Sequence, residues 1–239
     1  MNITKIFRDN LQSLSGVKKP TIAFLGDSVT QGCFDVYRKL GGGVETYFEQ
    51  EYAFHRYVHK ILGMLYPNVP VNIINAGISG GKAPGGLDRL ERDVLCYKPD
   101  LTVVCFGLND CCNEKESLEE YLDALTEIFK KLKNSGSEVI FMTPNMMCTK
   151  VSDHLDGDFH NIAKDCMKVQ NNGDFEEYIN KAIDAAKAQD VRVCDVYSKW
   201  KLLFENGVDI TELLANKINH PTHEMNWLFA ISLVEEMMK

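Results

Sequence analysis

Four short stretches of this chain carry the groups that acyl transfer requires. Gly26-Asp27-Ser28 follows the apolar run Thr21-Ile22-Ala23-Phe24-Leu25. A strand that stops at such a small-residue turn presents its serine hydroxyl at the carboxyl end of a sheet, where α/β proteins bind ligands. A serine hydroxyl is a weak nucleophile at neutral pH and needs a base. His220, followed by Pro221 near the C-terminus, is the candidate to take its proton and return it to the leaving group. The tetrahedral intermediate then needs preorganised donors for its oxyanion. The backbone N–H groups of Ser28 and Gly80 and the side-chain amide of Asn109 can supply three.

These residues are spaced by elements that the hydrophobic pattern predicts. Residues 1–19 read as a short outer helix ended by Pro20, and residues 21–26 as a buried strand. The segment after Ser28, through Gly41-Gly42-Gly43, reads as a mobile loop. Its glycines lack the Lys-Ser/Thr of a phosphate-binding loop. Tyr37, Tyr47 and Phe48 in this region either wall the substrate or pack beneath it. A helix is predicted from Tyr52 to Leu65, a second strand over 71–75 ending at Gly77-Ile78-Ser79-Gly80-Gly81, and a helix over 86–97. A third strand, 101–106, ends at Gly107-Leu108-Asn109-Asp110, and Ser117 with Glu120 forms a capping box for a helix to Lys133. A fourth strand covers 138–142. Residues 145–172 show no strong period and read as a long loop, a candidate lid or binding loop. A helix over 174–189, a fifth strand over 191–196 and a last helix over 222–238 complete the chain. Strands alternating with helices predict one domain over 1–239, a three-layer α/β/α sandwich with a five-stranded parallel sheet.

On this background the chain resembles the SGNH (GDSL-type) hydrolases, serine esterases of flavodoxin-like fold. The family's first block is matched by Gly26-Asp27-Ser28-Val29-Thr30-Gln31-Gly32, the second by Asn75-Ala76-Gly77-Ile78-Ser79-Gly80, the third by Gly107-Leu108-Asn109-Asp110, and the last by His220-Pro221. The resemblance implies Ser28 as nucleophile, His220 as base, and Ser28, Gly80 and Asn109 as the oxyanion hole. It also implies a small carboxylic ester as substrate, with an O-acetyl group on a carbohydrate as the best guess. One departure matters. The family carries an aspartate three residues before its histidine, and here that place holds Lys217, which cannot accept an imidazole N–H. With a one-residue slip Asn216 falls in the aspartate's place. An Asn carbonyl or a backbone carbonyl can still fix the tautomer, and the open arrangements are a Ser-His dyad, a triad with Asn216, and a carboxylate from elsewhere such as Asp209 or Glu212.

Two rival readings compete with this one. Gly77-Ile78-Ser79-Gly80-Gly81 also fits the Gly-x-Ser-x-Gly elbow of α/β-hydrolases, which would make Ser79 the nucleophile. The missing aspartate suits a non-catalytic carbohydrate- or ester-binding domain. Other classes are disfavoured by composition. The formal charge is −8 and no Lys/Arg block occurs, so nucleic acid is not an expected partner. Asp153, His154, Asp156, Asp158 and His160 match no metal-ligand spacing, and no metal or organic cofactor is expected. Eight cysteines without a Cys-x-x-Cys pair fit buried thiols in a reducing compartment, and no run suits a signal peptide or a membrane span. The expectation is a cytoplasmic enzyme, with monomer and dimer both open.

Overall fold

The structure, a computed structural model, describes residues 3–41, 44–112 and 118–239. The triple glycine's Gly42 and Gly43, and the Ser117 half of the expected capping box, lie outside the described residues.

The chain opens with α1 (Ile3–Gln12) and enters β1 (Thr21–Gly26). A single-turn helix, α2 (Ser28–Gln31), follows at once. The segment expected as loop then forms an antiparallel hairpin, β2 (Cys33–Arg38) and β3 (Val44–Phe48). Its alternating aromatic and β-branched residues, Phe34, Val36, Thr46 and Phe48, carry strand propensity that the glycine run obscured. A 3₁₀ turn, Gln50–Tyr52, leads to α3 (Phe54–Leu65) and β4 (Asn72–Gly77). The helix expected over 86–97 is instead α4 (Ala83–Asp88), α5 (Leu90–Asp93) and a 3₁₀ turn, Leu95–Tyr97. The break falls at Arg89, whose side chain turns inward to main-chain carbonyls of the sheet.

β5 (Leu101–Cys105), α6 (Leu118–Asn134) and β6 (Glu138–Met142) follow as the periodicity predicts. Residues 145–172, expected as loop, contain α7 (Gly157–Asn171). Its buried positions are Ala163, Cys166 and Gln170, so its inner face is too small and polar to register as an apolar stripe. The chain ends with α8 (Asp174–Ala188), β7 (Arg192–Cys194), α9 (Tyr197–Glu205), a 3₁₀ turn at Ile210–Leu213, and α10 (His223–Met238). No element was expected at α9.

The main sheet is parallel throughout, in the order β4-β1-β5-β6-β7. Alternation along each strand feeds two cores. Ile22 and Phe24 of β1, Val103 of β5 and Ile140 of β6 pack on one face with Phe54 of α3 and Phe229 of α10. Ala23, Leu25, Val104 and Phe141 pack on the other with Ile128 and Phe129 of α6. Burial on both faces explains why these strands read as continuous apolar runs. The order also fixes the crevice. The chain leaves β1 for β4 on one side and then crosses to β5 on the other. This makes the carboxyl end of β1 a topological switch point, where α/β sheets bind ligands. Among the described residues no helix is long and apolar enough to cross a membrane.

Candidate active site

The turn after β1 is held tightly. Asp27 caps α2, its Oδ1 accepting the Val29 N–H at 3.0 Å, and Gly32 closes it in the left-handed region at φ 95° with its N–H on the Ser28 carbonyl. Two glycines let this turn seat between the strand ends. A Cβ at Gly26 would stand 2.6 Å from the Cys105 carbonyl oxygen, and one at Gly77 would stand 2.3 Å from the Gln31 nitrogen. Arg89, inside the stretch expected as one helix, forks beneath the turn. Its Nη1 donates to the Ala76 carbonyl at 2.6 Å and its Nη2 to the Gly26 carbonyl at 2.9 Å. A buried guanidinium thus ties the ends of β1 and β4 together. Its one sequence signal is a charged residue at a position that the helical pattern would bury.

Ser28 and His220 are 192 residues apart in sequence, and their side chains meet: Ser28 Oγ lies 2.9 Å from His220 Nε2. Both residues are buried. The histidine sits in the loop before α10, which main-chain bonds pin on both sides. Ala215 N–H donates to the His220 carbonyl at 2.7 Å, and Thr222 N–H to the Leu213 carbonyl at 3.0 Å. Asn145 Nδ2 donates to the Asn219 carbonyl at 2.8 Å.

The other sequence candidates divide. Asn109, after β5, donates through Nδ2 to the Gly81 carbonyl at 3.0 Å, so its amide is anchored beside the Gly80 turn. Gly80 has φ +72°, and a Cβ there would meet nothing within 4 Å. Glycine is therefore required by backbone conformation, and the space above the turn is open. Ser79 is exposed and its backbone N–H donates to Gln31 Oε1 at 2.7 Å, while His220 is hydrogen-bonded to Ser28. Asn216 does not meet the imidazole. Its Oδ1 accepts the backbone N–H groups of Ile218, Asn219 and His220 at 2.9–3.0 Å, so it orders the loop rather than the ring. Asparagine does this through a short side chain that reaches its own following backbone. The two carboxylates considered for the same task are engaged elsewhere, Asp209 with Lys150 at 2.5 Å and Glu212 with Lys217 at 2.9 Å.

Among the described residues no side chain meets the buried His220 Nδ1, and the one acceptor that acts on the ring is the Phe34 backbone carbonyl. Burial pushes the His220 pKa down to about 4, opposed only by the backbone carbonyl of Phe34. The imidazole is a neutral acceptor at physiological pH. Burial also pushes Asp27 up to about 7, with a further rise from the nearby Asp110 carboxyl, and pushes Asp110 up to about 6. Asp110 Oδ1 accepts the Ala83 N–H at 2.8 Å, joining the end of β5 to the start of α4. His223, at the start of α10, is half-buried. Its Nε2 lies 2.7 Å from Glu49 Oε2, and Tyr52 stacks on its ring at 4.0 Å. Among the described residues no group of three or more His, Cys, Asp or Glu is placed to hold a metal ion.

A serine hydroxyl on a buried imidazole, two glycine-shaped turns and an amide at three adjacent strand ends are an arrangement that can carry out acyl transfer. Known proteins resemble the chain in sequence and in shape. An acetylxylan esterase of Geobacillus stearothermophilus is 30% identical over 132 residues, which span 52% of this chain and 58% of that protein. The crystal structure of Axe2, an acetylxylan esterase from the same organism, superposes with TM-score 0.69 at 19% identity over 91% of this chain and 94% of its own. LAE5, an α/β hydrolase enzyme from the metagenome of Lake Arreo, gives TM-score 0.68 at 18% identity over 92% and 95%. At these identities the solved structures establish the fold. Catalytic mutants of Axe2 include ones at a serine, a histidine and an aspartate. The family model of the GDSL-like lipase/acylhydrolases matches residues 24–228, from within β1 into α10, and the chain belongs to that family.

Proposed function

We propose that this chain is a serine carboxylic ester hydrolase that removes a small acyl group, an acetyl, from a carbohydrate hydroxyl. The observation that carries the proposal is the buried 2.9 Å contact between Ser28 Oγ and His220 Nε2 at the carboxyl end of β1. Ser28 Oγ attacks the ester carbonyl and His220 Nε2 accepts its proton. The backbone N–H groups of Ser28 and Gly80 and the Asn109 amide receive the oxyanion. The imidazolium then protonates the departing sugar oxygen, and water, deprotonated by the same histidine, releases the acid. The site works as a dyad. With no carboxylate on Nδ1, the transient imidazolium lacks a buried counter-charge, which lowers the basicity of His220 and favours easily expelled alcohols. The acetyl-carbohydrate part of the reading is supported by the acetylxylan esterase relative. We further read residues 1–239 as one domain working in a reducing, cytoplasmic setting, supported by eight free thiols.

The test is hydrolysis of 4-nitrophenyl acetate and of acetylated xylooligosaccharides by the wild type and Ser28→Ala. The variant should lose at least ~10³-fold in kcat/KM, and a fluorophosphonate should label Ser28 and not Ser79. Equal rates in the two proteins, or a label on Ser79, would refute it.

A further inference from the structure

Next to the Ser28–His220 pair the hairpin builds an exposed aromatic and acidic face that the reaction above does not use. Asp35 pairs with Tyr47 and Tyr37 with Glu45 across β2 and β3, so these four side chains share one face. On the opposite face Arg38 reaches α7. There Arg38 bonds Asp158 at 2.9 Å and its guanidinium lies 5.8 Å from the Phe159 ring centroid. The first face is open to solvent: Tyr37 and Tyr47 on it, and Tyr52 beyond it, keep 45%, 47% and 42% of their surface exposed. Three half-exposed tyrosines in one small region form an apolar patch with polar rims.

The patch is wired to the reacting groups. Glu49 N–H donates to the Gly32 carbonyl at 2.9 Å, at the end of the helix that Ser28 begins. Glu49 Oε2 lies 2.7 Å from His223 Nε2, three residues beyond His220. Tyr52 stacks flat on His223, with ring planes 8° apart, and Phe34 meets the same imidazole edge-on at 4.4 Å. Tyr47 lies beside Glu49 and Tyr52, close enough for the Glu49 carboxylate to raise its phenol pKa.

We propose that Tyr47 and Tyr52, with Glu49 between them, form a shelf that binds a neutral pyranose ring of the substrate and so sets its specificity. This rests on the esterase reading for the ester-bearing end and adds the recognition of the sugar. A pyranose has C–H faces that lie against aromatic rings and an edge of hydroxyls that donate to carboxylates. The shelf offers both. Glu49 and Asp35 place negative charge beside the rings, and the Lys39 ammonium on the same hairpin is taken up by Glu45. An anionic sugar or a phosphate headgroup would be repelled. A bare acyl chain would have to desolvate Glu49 without replacing its hydrogen bonds.

The experiment compares Tyr47→Ala, Tyr52→Ala and Tyr52→Phe with wild type on acetylated xylotetraose and on 4-nitrophenyl acetate, which has no sugar ring. Each alanine variant should raise KM for the sugar ester by about 10-fold or more, with a loss on the nitrophenyl ester smaller by at least ~5-fold; Tyr52→Phe, which keeps the ring, should stay within ~3-fold of wild type. Equal losses on both esters would mean that the rings only prop His223, and would overturn the shelf. A separate readout uses Ser28→Ala with unacetylated xylotetraose, in saturation-transfer NMR from the aromatic protons. Transfer to the sugar C–H protons that disappears in the alanine variants supports the shelf, even if the wild type proves inert toward esters. Absence of transfer in a protein whose wild type hydrolyses 4-nitrophenyl acetate overturns the shelf and leaves the esterase standing. A tetragalacturonate that binds as well as xylotetraose would also overturn it.

Discussion

His220 is the residue on which the proposed chemistry turns, and its setting predicts an unusual pH profile. The imidazole's pKa is pushed down to about 4 by burial, so it is an unprotonated acceptor above that pH. The acid limb of kcat/KM for an uncharged ester should therefore fall near pH 4, rather than near the ~6.5 of an ordinary histidine. A pH series with 4-nitrophenyl acetate measures it. Asp27 carries the opposite sign. Its pKa is pushed up to about 7, so the fold binds its proton more tightly than the unfolded chain does. The stability this gives is complete below the ordinary carboxylate value and is lost as pH rises through about 7. Asp27→Asn keeps an acceptor for the Val29 N–H and cannot ionise. Denaturant titrations should show a flatter loss of stability between pH 4 and 7, with a difference from wild type on the order of 4 kcal/mol by pH 8. Asn109→Ala should lower kcat by about 10²–10³-fold with little change in KM, as expected for a donor used only in the transition state.

Among the elements, the one that sets the geometry is α2, a single turn wedged between the ends of β1 and β4. Its seat depends on two absent side chains. A Cβ at Gly77 would stand 2.7 Å from the Gln31 Cα and the Thr30 carbonyl carbon, main-chain atoms that cannot rotate away. Gly77→Ala should cost about 1–3 kcal/mol in chemical denaturation and should lower kcat as well, because the displaced turn carries Ser28. Arg89 holds the same corner from below, and Arg89→Lys loses the fork to the Ala76 and Gly26 carbonyls. The hairpin was the element least readable from sequence. Its strands lie outside the main sheet, and its outer face carries tyrosines and carboxylates with no apolar stripe to announce burial. The helix α7 was hidden for a related reason. It presents Ala163, Cys166 and Gln170 inward, so its burial is not written as large apolar residues.

At the scale of the whole molecule, the eight cysteines are all free, and Cys96 is the exposed one. A thiol reagent should label Cys96 first in the native protein and all eight only after unfolding, and reductant should leave the melting temperature unchanged. Peptide mapping by mass spectrometry checks both. The sequence by itself determined the alternation of strand and helix, the two-faced burial of the central strands, and the short blocks that deliver Ser28, Gly80, Asn109 and His220. These are local matters of apolar period and turn chemistry, written within a few residues of each site. Tertiary structure decided the rest. The strand order places β1 between β4 and β5, and so brings together three turns that are far apart in the chain. Closure of the last helix against the sheet brings His220 across 192 residues to Ser28. It also decided which candidate side chains stay away from the imidazole. Asn216, adjacent by sequence, spends its oxygen on three backbone N–H groups, while Asp209 and Glu212 turn outward to lysines. Side-chain direction in an irregular loop is set by which backbone groups need partners and by what packs around them, and neither is encoded in the spacing of the residues.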